Sequence, residues 1–205
     1  MSKTTATNEK EKRLMEVRLA ENVDEGKMIV EGYAVRFNEP AVMWQDSQGN
    51  DYKEVITRDA LNDSDLSDVP FKYNHSDQVM IMARTRNKTL QLMVDEHGLF
   101  IRAELADTTT GRDLYTLIKR GDIDKMSFAF TVSEDAYNRD TRTRTISKID
   151  KLFDVAAVDF PSYDTTSISA RNYFEAEKEA IDREKRSQKE TLLLKLKLGG
   201  ITDNE

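Results

Sequence analysis

The amino-acid sequence predicts an α+β fold built on a mainly antiparallel β-sheet or barrel. Several segments alternate apolar and polar residues with a period of two, which is typical of half-buried strands. Few segments show helical periodicity, and turn residues separate the strand-like segments at short intervals. A count of roughly six or seven strands with few helices favours this layout over alternating strands and helices.

The N-terminal elements follow from changes in residue pattern along the chain. Residues 1–13 are polar, mixed in charge and without apolar periodicity, which predicts a disordered segment. Apolar residues then alternate with charged ones at Met15, Val17 and Leu19, which predicts a strand. Residues 27–37, KMIVEGYAVRF, are read as the partner strand of a hairpin.

The middle of the chain contains the clearest hairpin and the clearest helix. Residues 41–56 predict a loop that returns through a turn at Gly49 into a short strand. Residues 89–105 alternate on both sides of a turn, and Gly98 is expected to supply its positive φ. Residues 107–121 predict a helix that ends at a glycine.

Two strands and a charged tail complete the chain. Residues 125–132, KMSFAFTV, and residues 151–161, KLFDVAAVDFP, predict the last strands. The composition then shifts, so residues 14–172 are predicted to be one domain and residues 173–205 a charged helical tail ending in leucines. Two interpretations of the tail stay open: a solvated terminal helix, or a detachable helix that docks on a partner.

Composition excludes several functional classes. The net charge of −7 argues against a nucleic-acid binder and against electrostatic attachment to membranes. No apolar run is long enough for a membrane helix, and the polar start is not a secretory signal. Without cysteine, and with two histidines, the chain has no disulfide, thiol chemistry or cysteine zinc site. We therefore expect a cytosolic protein without a cofactor, with carboxylate-bound Mg²⁺ left open.

Three residues could together carry acyl-transfer chemistry. Ser127 lies on the strand face that bears small side chains, which leaves space for a substrate. His75 ends an aromatic stub and is a candidate general base, whereas His97 lies in a hairpin turn and is expected to be exposed. Asp154 lies on an apolar strand face, where a carboxylate needs a partner such as a histidine, and Asp159 is the second candidate for this role.

The order of these segments resembles the prohead (capsid maturation) proteases of tailed phages, which are relatives of the herpesvirus assemblins. The likeness runs over residues 14–172 and consists of Asn74-His75, the hairpin with DEHGL, the helix ending IKRGDIDKMSFAF and the strand FDVAAVDFPSYDTTSI. It implies a closed β-barrel like that of herpesvirus proteases, flanked by a few helices.

The same resemblance implies the roles of individual residues. The family's histidine, nucleophilic serine and acidic residue match His75, Ser127 and Asp154. The chain departs from the family pattern at Ala129, where glycine is common, and at Asp154, where glutamate is common. The alanine narrows the space beside the nucleophile, and the aspartate is one methylene shorter, so its strand would have to lie closer to His75. The backbone at Ala83-Arg84 is a possible oxyanion contributor, because the family often has Gly-Arg there.

The implied function is a serine endopeptidase of the Ser-His-Asp type inside the procapsid in the host cytoplasm. Its substrates would be scaffold, the scaffold-like segment of the major capsid protein and often the protease itself, and it could pair as a homodimer. The tail would serve incorporation or self-processing. The alternative is a non-enzymatic scaffold or assembly chaperone, which would have no reason to align His75 with Ser127.

Overall fold

The computed structural model describes residues 2–4, 10–21, 26–159 and 163–199, and side chains within 10–21, 26–159 and 170–196. The described residues form twelve strands and two α-helices. The strands are β1 (Ser2–Thr4), β2 (Glu11–Glu16), β3 (Arg18–Leu19), β4 (Ile29–Arg36), β5 (Ala41–Gln45), β6 (Asp51–Ile56), β7 (Pro70–Tyr73), β8 (Ala83–Arg84), β9 (Leu90–Val94), β10 (Gly98–Glu104), β11 (Lys125–Asn138) and β12 (Thr143–Val158). The helices are α1 (Thr109–Arg120) and α2 (Tyr163–Gly199), and short 3-10 helices span Arg58–Leu61 and Thr85–Asn87.

The long antiparallel hairpin β11–β12 forms the centre of an eight-stranded sheet, sheet A. Along its outer side, β11 pairs first with β2 and farther along with β1. Strand β12 pairs in parallel with β6 near its start and with β7 near its end. β5 and β8 continue the sheet from β6 and β7. One hairpin therefore holds strands from most of the chain in register.

A four-stranded sheet, sheet B, packs against sheet A in the order β3-β4-β10-β9. One hydrophobic cluster contains residues of both sheets, with members such as Phe128 and Phe130 from β11 and Val30, Leu99 and Ile101 from β4 and β10. The bulky face of β11 that the sequence predicts is therefore a core face. This packing fixes the opposite face of β11 as the one that can bear chemistry.

The expected closed β-barrel is wrong, although the α+β class is right. Among the described residues, strands β1 and β2 at one end of sheet A bond only to β11, and β5 and β8 lie at the other end. No strand pairing joins the two ends, so sheet A stays open. Strand β12 pairs with β6 in its first half and with β7 in its second, so the sheet branches there, and neither branch pairs with β1 or β2. The strand count among the described residues exceeds the predicted six or seven. Sheet A is mixed, whereas sheet B is antiparallel.

Local predictions were mostly right about element type and less accurate about turns. Helix α1 begins after Thr108, whose side chain accepts from the Gly111 N–H, and it ends at Gly121 with φ of 83°. The 41–56 segment is a strand hairpin, and Gly49 has φ of 80° in its turn. Gly98 does not have positive φ; a Cβ there would lie 1.8 Å from the Val35 carbonyl oxygen. Close approach of β4, rather than turn geometry, therefore requires glycine at this position.

The N-terminal region is more ordered than the sequence indicates over residues 11–13. The predicted disordered segment, 1–13, includes β1 and the start of β2, whereas residues 1 and 5–9 lie outside the described residues. The predicted strand at residues 15–19 is divided at Val17, because β2 joins sheet A and β3 joins sheet B. The chain thus crosses between the two sheets at this point.

A buried ionic cluster links β2 to three other strands of sheet A. Five buried charged residues take part: Glu11, Arg13, Glu54, Asp135 and Arg144. The Arg13 guanidinium donates to Glu54 over 2.6 Å and to Glu11 over 2.6 Å. Arg144 donates to Asp135 over 2.6 Å and to Glu11 over 2.8 and 2.9 Å. The cluster therefore joins β2, β6, β11 and β12.

The two arginines stabilise the charged form of Glu11. Burial would raise the pKa of Glu11, but the Arg13 charge and the Arg144 hydrogen bond hold that pKa below its usual value. Burial would likewise lower the pKa of Arg144, and its carboxylate partners reverse this, so the net shift is upward. Each charge depends on its partners, because an unpaired charge is costly in a protein interior.

The first half of α2 packs on the far end of the hairpin. Ala170 and Phe174 are buried with Tyr52 and Tyr137 in a second, smaller hydrophobic cluster. In contrast, the side chains of Leu192, Leu193, Leu194 and Leu196 near the end of α2 are exposed. Within the described residues, no helix is long and apolar enough to cross a membrane.

Arg144→Met should destabilise the protein by about 3–5 kcal/mol, because it leaves buried carboxylates with a single arginine. Urea unfolding followed by circular dichroism measures this change. The matched control is Arg186→Met on the exposed part of α2, for which we expect a change within about 0.5 kcal/mol. Equal stability of the two variants would show that the ionic cluster contributes nothing beyond an exposed arginine.

Candidate active site

Ser127 lies near the start of β11, between two neighbouring strands. It is in register with Leu14 of β2 on one side and with Ala156 of β12 on the other. Its neighbours Met126 and Phe128 point into the core, so Ser127 points to the opposite face of the sheet. The sequence predicts open space on this face, but Ser127 is only 3% exposed. The serine is therefore covered in this structure.

His75 lies in a tight turn directly after β7. The Ser76 N–H donates to the Tyr73 carbonyl over 3.0 Å, which closes a four-residue turn. Both central residues have positive φ, 52° at Asn74 and 54° at His75, the combination found in type I′ turns. Because β7 pairs in parallel with the end of β12, this turn lies beside that strand.

Asp154 lies on β12, directly opposite Ala129 of β11. It shares a sheet face with Ser127, since Ser127 pairs with Ala156 two residues farther along β12. Diagonal neighbours of this kind have side chains about 7–8 Å apart, which leaves room for an imidazole ring between them. The Asp154 carboxylate contacts His75 Nδ1 through Oδ1. The structure thus brings His75 and Asp154 into direct contact. Asp154 lies on β12, the strand that pairs with the strand of Ser127.

The contact with Asp154 determines how the His75 ring can act. A carboxylate can only accept, so Nδ1 carries the proton and the neutral ring keeps a lone pair on Nε2. Nε2 is buried and has no hydrogen-bond partner among the described residues. A buried nitrogen of this kind is normally satisfied in a folded protein. Ser127 Oγ therefore makes no hydrogen bond to this nitrogen, and the structure joins His75 to Asp154 but not to Ser127.

The other histidine and the other candidate acid are placed elsewhere. His97 has a side chain 60% exposed and lies near Glu96, as expected for a turn residue without a catalytic role. Asp159 is exposed, and its carboxylate accepts a 2.9 Å hydrogen bond from the Tyr73 hydroxyl. The sequence does not predict the bonds of Tyr73 and Asn74 to Asp159, since in the sequence these two residues only precede His75. Asn74 is the sequence signal for this turn, because asparagine adopts positive φ more often than most residues.

The backbone at Ala83-Arg84 lies too far from Ser127 to act as an oxyanion donor. β8 is three strands from β11 in the order β11-β12-β7-β8, or about 14 Å at the usual strand spacing. The Arg84 N–H donates to Thr89 Oγ1 over 2.9 Å, and its guanidinium pairs with Asp68. The oxyanion donors are therefore not at this position.

No group of three or more metal-binding side chains occurs among the described residues. The candidate residues are Ser127 on β11, Asp154 on β12 and His75 in the turn after β7. A hydroxyl, an imidazole and a carboxylate are the groups that serine hydrolases combine.

Comparison with known proteins identifies the family. The sequence profile described as caudovirus prohead serine protease matches residues 14–181. The chain belongs to this family. It is therefore a serine protease of prohead maturation, as its resemblance predicts.

No curated protein matches the chain. Among solved structures, it is similar to the capsid assembly protease gp21 of bacteriophage T4, with 15% sequence identity and a TM-score of 0.47. That similarity covers 74% of this chain and 99% of the other.

Proposed function

We propose that Ser127, His75 and Asp154 form the catalytic triad of this prohead protease. The observation that supports the proposal best is the His75–Asp154 contact, which leaves a buried, unbonded Nε2 on a ring held by a carboxylate that shares a sheet face with Ser127. In a protein without cysteine, a serine hydroxyl activated by histidine is a straightforward nucleophile for peptide cleavage. A scaffold or assembly chaperone would not require a buried nitrogen without a partner.

Each catalytic residue has one role in the proposed acyl transfer. Ser127 Oγ attacks the peptide carbonyl carbon while its proton passes to His75 Nε2. The tetrahedral intermediate collapses, the C–N bond breaks, and the imidazolium returns that proton to the leaving amine. Water then attacks the ester carbonyl by the same route and releases Ser127. Asp154 holds Nδ1–H and stabilises the imidazolium throughout.

The geometry favours Asp154 over Asp159 as the acidic member. The Asp154 carboxylate reaches His75 directly even though it is one methylene shorter than the glutamate common in the family. Its position opposite Ala129 places it two residue pairs from Ser127 on the same face, and Ala129 itself is buried. The Asp159 carboxylate accepts a hydrogen bond from Tyr73, whereas the His75 ring contacts Asp154.

The proposed substrates are the scaffold, the scaffold-like segment of the major capsid protein and the protease itself, cleaved inside the procapsid. A substrate chain would have to be extended, because Ser127 is covered and a folded chain could not approach it. Residues around the serine would have to move aside to admit even an extended peptide. A homodimer is also proposed, without a role for nucleic acid or membrane.

Ser127→Ala should abolish processing when the protein is coexpressed with its capsid and scaffold proteins, because no nucleophile remains. Cleavage products are followed on gels, and mass spectrometry locates their ends. The matched control is Ser133→Ala, an exposed serine on the same strand, which should process normally. Unchanged processing by Ser127→Ala would exclude Ser127 as the nucleophile.

Asp154→Asn should lower kcat by about 10³–10⁴-fold, because the amide no longer holds His75 in the required tautomer. A peptide that spans a mapped cleavage site serves as the substrate. Asp150→Asn, at an exposed position of the same strand, is the control and should be near wild type. If Asp159→Asn lost more activity than Asp154→Asn, the assignment of the acid would be reversed.

The charged tail, residues 173–205, is proposed as a segment for incorporation into procapsids or for self-removal. Its first part belongs to the folded body, since Phe174 is buried and Glu184 bonds to Arg139 over 2.7 Å. The leucines near the end of α2 are exposed and contribute nothing to that packing. The exposed part is therefore the better candidate for a separate role.

A chain that ends after Arg186 should fold and cleave normally but enter procapsids less efficiently. It keeps the packed residues of α2 and loses the exposed leucines. Purified procapsids are analysed by mass spectrometry for the amount of protease. A chain ending at Asn172 is the contrasting variant, and it should be unstable because it lacks Phe174. Normal incorporation of the chain that ends after Arg186 would refute the proposed incorporation role.

A further inference from the structure

We propose that Tyr73, Asn74 and Asp159 form a clamp that positions His75 for catalysis. They are positioning residues, since each acts on the backbone that carries the imidazole. This inference rests on the proposed function, because it assumes that His75 is the general base. It also gives Asp159 a role that differs from that of the triad acid.

The turn that carries His75 is held in a conformation that histidine rarely adopts. Asn74 and His75 have φ values of 52° and 54°, in the left-handed region that favours glycine. Asparagine and histidine enter this region more often than most residues, but positive φ is uncommon for any residue other than glycine. Type I′ turns usually place glycine at the position that His75 occupies. Residues held in such conformations persist only where the surrounding structure fixes them.

Three hydrogen bonds fix this turn to the end of β12. The Asn74 N–H donates to the Ala157 carbonyl over 2.9 Å. The Asn74 side chain accepts from the Asp159 N–H over 3.2 Å, and the Tyr73 hydroxyl donates to the Asp159 carboxylate over 2.9 Å. Both residues that precede His75 are therefore bonded to the same short segment of chain.

The attachment point explains why the clamp matters for catalysis. Strand β12 also carries Asp154, so the clamp connects the base and the acid through one rigid element. A turn that slipped along β12 would separate His75 Nδ1 from the Asp154 carboxylate. Small displacements of catalytic groups can lower rates strongly, up to about 10²-fold for 1 Å.

The Tyr73 hydroxyl is well suited to this task. Partial burial and the bond to Asp159 raise the pKa of the Tyr73 phenol above its ordinary value. The phenol therefore stays protonated and donates across the neutral pH range. A salt bridge from Lys72 to Asp77 over 2.5 Å spans the same turn and closes it from the other side.

Asn74→Gly is the sharpest test, because glycine keeps the positive φ and removes only the side-chain acceptor. We expect kcat for the mapped peptide to fall about five- to tenfold, the effect of one lost hydrogen bond, with KM unchanged. Asn38→Gly is the matched control: Asn38 is exposed, also has φ of 57°, and should keep wild-type kcat.

The Tyr73–Asp159 bond is tested separately. Tyr73→Phe and Asp159→Ala should each lower kcat by a similar factor, and the double variant should be no worse than either, because both remove one bond. Asp159→Asn should recover most of the activity, since its amide oxygen still accepts from Tyr73. Such rescue distinguishes a positioning role from a requirement for negative charge.

The outcomes separate the clamp from the proposed function. An inactive Ser127→Ala with wild-type kcat in Asn74→Gly and Tyr73→Phe would overturn the clamp and leave the triad intact. A higher KM at unchanged kcat, or a lower urea midpoint at unchanged kcat, would also overturn the clamp. An active Ser127→Ala would instead overturn the proposed function.

Discussion

The pairing of β11 with β12 is the constraint on which the rest of the structure depends. Its register sets Ser127 opposite Ala156 and Ala129 opposite Asp154, so the proposed nucleophile and acid lie on one face as diagonal neighbours. The outer edge of β12 then receives β7, and with it the turn that carries His75. Since side chains alternate between sheet faces, a one-residue slip would move Ser127 or Asp154 into the core.

Buried polar groups are used in two different ways around this hairpin. The ionic cluster of β2 satisfies its charges with several hydrogen bonds each, which fixes the outermost strand next to Ser127. The site instead leaves His75 Nε2 without a partner among the described residues. The first arrangement stabilises the fold, whereas the second fits the proposed role of His75 as the general base. An unsatisfied group in an otherwise satisfied interior is a typical mark of function.

The covered position of Ser127 has consequences for the proposed reaction. Exclusion of water strengthens the interaction of the imidazolium with the Asp154 carboxylate, because charges interact more strongly at low dielectric. It also means that an extended segment fits the site better than a folded surface does. The clamp on the His75 turn would keep the base in place while the residues over the serine move. Rigid catalytic groups beneath a movable cover would reconcile protection with access.

The sequence by itself determined the α+β class, the helix α1, several of the twelve strands and the three candidate residues, because alternation, capping and residue chemistry are local properties. It also indicated the family, through the order of short motifs around His75, Ser127 and Asp154. Only the tertiary structure decided that sheet A stays open, that Gly98 allows close approach of a strand, and that Asp154 rather than Asp159 contacts the imidazole. These outcomes depend on which strands pair and in which register, and pairing between distant segments leaves no periodic signal in either segment.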